Sequence, residues 1–151
     1  MTSATKRRLT LFVACLTLTV LTSGRVSSMP PLPNPVLVFM GQEPFETGGK
    51  SYTRYKYFVD NFQAYPSELF AAAPKLPPCG ANTNSSRTWV DVFDSRGKRL
   101  NGFCALGSPK DLGNLWFALE TDVVPPSWVY IELNDRETGT KYKSNLADTV
   151  E

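Results

Sequence analysis

The chain has 151 residues, no histidine and a formal charge of +2; without imidazole, Ser-His-Asp and Cys-His nucleophile pairs and His-ligated metal sites are closed to it. Residues 1–28 hold four basic residues (Lys6, Arg7, Arg8, Arg25) and no acid, while residues 29–151 hold 12 basic and 14 acidic residues. A net −2 on that larger portion argues against nucleic acid as a partner, and its length sets one domain with one core.

Lys6-Arg7-Arg8 precedes a 13-residue apolar run, Leu9 to Leu21. A spanning helix needs roughly 20 apolar residues and a secretory segment roughly 7–15, so residues 1–28 are expected to be a signal peptide. Small residues permit cleavage before Met29 or before Arg25. Cys15 lies inside the apolar run, where the residues before it (Phe12-Val13-Ala14) fit a lipidation site poorly, so it is read as an ordinary leader residue. The mature protein is then secreted or periplasmic, meeting a membrane only through its export signal. Cys79 and Cys104 are left as a pair, which in an exported domain reads as a disulfide closing about 26 residues. Two free thiols are the alternative.

Residues 29–35 (MPPLPNP) form a proline-rich extended arm. Val36 to Met40 is a continuous apolar run, expected as a strand buried on both sides, and Gly41 to Lys50 reads as a loop because it contains Pro44 and Gly48-Gly49. Ser51 to Phe62 alternates with period two: Thr53, Tyr55, Tyr57 and Val59 on one face, Tyr52, Arg54, Lys56 and Phe58 on the other. Tyr65 to Pro74 reads as a short helix with Ser67 as N-cap. Lys75 to Arg87 is a loop tied down by Cys79.

Thr88 to Phe93 and Arg99 to Leu106 form a hairpin around Asp94-Ser95-Arg96-Gly97. Ser108-Pro109-Lys110-Asp111 opens a helical turn. Strands follow over Leu115 to Glu120, Trp128 to Asn134 and Thr140 to Asn145, the last a polar edge strand guarded by lysines. Residues 147–151 read as a polar tail. About seven short strands in residues 36–146, with regular turn signals, predict an all-β antiparallel β-sandwich of immunoglobulin- or fibronectin-III-like architecture.

Residues 29–151 contain 17 aromatics, and alternation turns some of them outward: Trp89, Trp116, Trp128 and Tyr130 are the candidate ligand-binding rings. The competing expectation is that the arm and the small helices cover them. No residues are assigned a catalytic role, and neither a metal site nor a cofactor is expected. The carboxylates Asp91 and Glu132 are of the type that flanks a glycosidic bond, but nothing in the sequence joins them. Asn84-Ser85-Ser86 is an N-glycosylation sequon in a eukaryotic host. The functional expectation is an exported, non-catalytic, monomeric binding module for a protein or a glycan. A small protease inhibitor using Pro77-Pro78-Cys79 is the alternative, with a carboxylate-dependent hydrolase ranked last.

Overall fold

The computed structural model describes residues 31–79 and 86–150. The expected signal peptide, the start of the arm and the Asn84 sequon lie outside that range. Among the described residues eight strands run antiparallel: β1 (Leu37–Thr47), β2 (Lys50–Val59), β3 (Thr88–Asp94), β4 (Arg99–Phe103), β5 (Leu115–Glu120), β6 (Trp128–Asp135), β7 (Lys141–Lys143) and β8 (Ala147–Asp148). They form two sheets, one ordered β1-β2-β5 and the other β4-β3-β6-β7, with β8 also paired to β6. This is the expected all-β sandwich. In immunoglobulin terms β1, β2 and β5 take the A, B and E positions and β3, β6 and β7 the C, F and G positions; β4 extends the second sheet beyond the C strand.

Alternation builds the core. Tyr55, Tyr57 and Val59 of β2, with Leu115 and Phe117 of β5, face Val90 and Val92 of β3 and Val129, Ile131 and Leu133 of β6. Tyr55 stacks on Phe117 with ring centroids 4.9 Å apart. Each fully buried aliphatic or aromatic side chain here contributes roughly 1.5–3 kcal/mol against exposure.

The first hairpin departs from expectation. Gly41 to Thr47 is strand, and its loop-like residues are hairpin devices. Gly48 (φ +58°) and Gly49 (φ +74°) make the two-residue turn, joining Thr47 to Lys50, the geometry that matches strand twist only with positive φ at both positions. The register shifts between Phe39 and Gly41, and Gly41 has φ +114°, so a bulge sits where the apolar run ends. Pro44 is tolerated because β1 is an edge strand, where a missing amide need not break a ladder. The same edge position corrects the expectation of a doubly buried Val36–Met40 strand: Leu37 is buried, but Met40 is 55 % exposed.

The segment expected as a polar tail opens with a short strand, Ala147–Asp148. Ala147 pairs with Val129 and Asp148 with Trp128, while Thr149 is fully buried and donates its hydroxyl to the Pro126 carbonyl. Asn145 accepts the Leu37 N–H at 2.8 Å and returns its amide to the Leu37 carbonyl at 3.0 Å. Tyr57 donates its hydroxyl to the Asp148 carbonyl at 3.2 Å. The C-terminal segment therefore bridges β1 and β2 of one sheet to β6 of the other.

The helical segments are short 3-10 turns over Phe62–Ala64, Ser67–Phe70 and Pro109–Gly113. Ser67 lies inside its turn; Pro66 is the cap residue, without a side-chain cap bond. Ser108 and Asp111 form the capping box that their spacing indicates. Cys79 and Cys104 are joined, with Cα atoms 6.0 Å apart, linking the long β2–β3 connection to the residue after β4. Arg87 and the β6–β7 turn are fastened together by Asp135, whose two carboxylate oxygens accept from the Arg87 guanidinium at 2.7 and 2.6 Å. Tyr65 donates its hydroxyl to the Pro33 carbonyl at 2.8 Å, anchoring the extended arm.

Candidate functional site

Strand register sorts the four candidate aromatics onto two surfaces. On β3 the buried Thr88, Val90 and Val92 alternate with Trp89, Asp91 and Phe93; on β6 the buried Val129, Ile131 and Leu133 alternate with Trp128, Tyr130 and Glu132. Directly opposed residues in an antiparallel pair share a face. Trp89 faces Asn134, Asp91 faces Glu132, Phe93 faces Tyr130 and Trp128 faces Asp148. The outer face of the five-stranded sheet thus carries rings and carboxylates in consecutive cross-strand rows. Trp116 belongs elsewhere: it opposes Lys56 on the three-stranded sheet.

Cationic side chains lie over three of these rings. The Arg136 guanidinium lies 4.1 Å from the Trp89 ring centroid and the Lys143 ammonium 3.9 Å from that of Tyr130. Arg54 sits between Phe45 at 3.9 Å and Trp116 at 4.9 Å. A cation over a ring face is attracted by the ring quadrupole, worth about 0.5–1 kcal/mol at exposed sites, and the alkyl stems cover apolar surface. Tyr130 is also stacked on Phe93, with centroids 5.3 Å apart, and is 8 % exposed. Trp128 differs from the other three in being 44 % exposed.

The carboxylates of the same face are engaged. Asp91 accepts from Arg99 Nε at 2.7 Å and from Asn134 Nδ2 at 3.3 Å. Lys141 Nζ donates to Glu132 at 3.2 Å. Gly102, opposite Asp91, makes room for this: a Cβ there would meet the Arg99 guanidinium at 1.8 Å. Asp91 and Glu132, which the sequence leaves unconnected, are therefore direct cross-strand neighbours, each with its own cation. Hydrolysis by such a pair requires one carboxyl to deliver a proton; in this arrangement both accept from cationic donors.

Two members of the face escape sequence reasoning. Phe93 shares the parity of Trp89, a signal already present in the alternation of β3. Asp148 lies in the segment read as a tail, and only the pairing of β8 places it beside Trp128. The inhibitor segment is partly described: Pro77 and Pro78 are exposed, and the Pro77 carbonyl accepts from Arg136. Among the described residues no group of three or more His, Cys, Asp or Glu is arranged to hold a metal ion, and no helix is long and apolar enough to cross a membrane. Comparison with protein-family models, with curated proteins and with solved structures found no match.

Proposed function

We propose that this chain is an exported, non-catalytic binding module that takes a carbohydrate on the outer face of the five-stranded sheet. The observation that carries the reading is the cross-strand order on that face: an indole and an amide, two carboxylates, two stacked rings, then the exposed Trp128 beside Asp148. Pyranose rings present C–H faces that lie on aromatic side chains and hydroxyls that donate to carboxylates. A sugar docking on the exposed Trp128 lies beside Asp148, with the further rings and carboxylates in the rows along the strands. The rigid sheet holds these groups at fixed spacing, so little ordering accompanies binding. The Cys79–Cys104 disulfide fits an oxidising compartment outside the cytosol, in keeping with the cationic, apolar N-terminus.

Titration of the mature protein with a panel of oligosaccharides and polysaccharides, followed by tryptophan fluorescence, tests this. A saturable shift is expected with at least one glycan, and Trp128→Ala should weaken binding about tenfold or more, as loss of a central aromatic anchor does. A flat response across the panel rejects the glycan reading. The bound glycan should remain uncleaved on prolonged incubation. Release of reducing ends, abolished by Asp91→Asn or Glu132→Gln, would make the carboxylate pair catalytic and reject the non-catalytic part.

A further inference from the structure

We propose that the groove between the β5–β6 connection and the β3–β4 turn binds a short-chain aliphatic carboxylate, its chain on the apolar wall and its head group on Arg96 and Lys98. The inference is independent of the glycan reading.

The apolar wall is unusual for a water-facing loop. Val123 is 46 % exposed and Val124 86 % exposed, and the Pro125-Pro126 pair that follows restricts the backbone from withdrawing them. Leu100 and Leu119, partly buried against the core, complete the apolar lining of a space of about 260 Å³. That is below the roughly 300–1,000 Å³ of pockets that enclose drug-sized ligands, and it suits a single unbranched chain.

The opposite wall is a rigid cationic turn. Asp94 is 2 % exposed, and its Oδ1 accepts the backbone N–H groups of Arg96 and Lys98, each at 2.9 Å. These bonds, ahead of an Arg96 contribution, hold its carboxyl below the usual carboxylate range. The Ser95 N–H donates to the Trp128 carbonyl at 3.1 Å, tying this turn to the strand that leaves the loop, so both walls are set before a ligand arrives. Asp94 is thereby satisfied largely by amides, and the Arg96 side chain, 86 % exposed, approaches it only at 3.5 Å. The Lys98 ammonium has no carboxylate partner among the described residues. One buried, amide-satisfied acid against two cations leaves the groove with a net positive charge.

Charge placement also separates a free amphiphile from an anionic bilayer. Glu120, Asp122 and Lys50 line the other flank of the same loop, where two acids outnumber one base. Insertion of the loop into an anionic membrane would bring both flanks against the head groups, the acidic one at a cost. A ligand within the groove meets only the basic side.

Calorimetric titration of the full mature protein with octanoate below its micellar range is the test, with octyltrimethylammonium and phosphatidylglycerol vesicles as parallel probes. Saturable one-to-one binding of octanoate is expected, with no comparable heat from the cationic amphiphile. Val124→Asp and Arg96→Glu should each weaken it about tenfold or more. Both positions are exposed, so unchanged unfolding midpoints will show that the variants are folded. The proposal is overturned by the absence of saturable octanoate binding, by equal binding of the two amphiphiles, or by binding that survives both substitutions. Sedimentation with vesicles without octanoate binding would overturn it in favour of a bilayer.

Discussion

Asp135 is 3 % exposed yet charged, because its carboxylate has more donors than burial can offset. The bidentate Arg87 guanidinium is the main cause, and desolvation opposes it; the Thr138 hydroxyl and the Glu137 amide add to the lowering, which brings its pKa down to about 2. A carboxyl depressed in the folded state stabilises the fold above its unfolded pKa, and that stabilisation is lost as the pH falls through the folded value. The window runs from about pH 4 down to about pH 2, and the linked contribution is roughly 2 kcal/mol. Asp135→Asn should therefore cost about 2 kcal/mol at neutral pH in urea denaturation. Its stability should also fall less steeply than the parent's between pH 4 and 2. Parallel acid profiles for the two proteins would assign the acid sensitivity to other carboxylates, such as Glu43, which a hydrogen bond from Lys56 also holds low. The same dependence on partners explains how much of the candidate site was legible. Alternation turns Trp89, Trp116, Trp128 and Tyr130 out of the core, but whether an outward ring is bare depends on residues far along the chain: Arg136 for Trp89, Lys143 for Tyr130, Arg54 for Trp116.

Between β1 and β2 the chain reverses in two residues, and both must adopt positive φ. An Ala at position 49 places a Cβ in a conformation that costs an L-residue about 1–2 kcal/mol, so Gly49→Ala should destabilise by about that amount. Gly48→Asn should cost only a few tenths, since Asn is the preferred first residue of this turn type. Thermal unfolding of the two variants decides the matter; equal losses would mean that Cβ strain is not what distinguishes the two positions. The glycine pair is itself a hairpin signal, and it is obscured in the sequence by Pro44 and by the bulge at Gly41, which interrupt alternation. β8 is invisible for a different reason. A two-residue strand has too few positions to show any period, and Asn145 reaches Leu37 across 108 residues of sequence.

The β2–β3 connection enters the core through Tyr65, Leu69 and Phe70, and the disulfide fastens its later part. The β2–β3 connection is held at its far end by the Ala72–Ser86 bridge and the Thr88 hydroxyl on the Leu69 carbonyl at 2.5 Å, and in its middle by Cys79. Chain-entropy arguments value a loop of this length at about 3–4 kcal/mol. Cys79→Ser with Cys104→Ser should lower the unfolding free energy by about that much and raise hydrogen exchange mainly within residues 72–79 and 86–87, with the β3–β6 ladder still protected. A loss under about 1 kcal/mol would show that the covalent link adds little to contacts already holding the loop.

Local patterning alone establishes the all-β class, the inward faces of β2, β3, β5 and β6, the turn at Asp94–Gly97 and the Ser108 capping box, and it favours the pairing of Cys79 with Cys104. These follow from period-two alternation, turn chemistry and an even cysteine count, all readable without knowing which strands become neighbours. That β1 is an exposed edge, that the C-terminal segment joins the two sheets, that Asp91 meets Glu132, and that cations lie on Trp89, Trp116 and Tyr130 but not on Trp128 follows only from how the strands come together. Each of these is a cross-strand or cross-sheet relation, set by register and packing between segments distant along the chain, and local patterning carries no record of it.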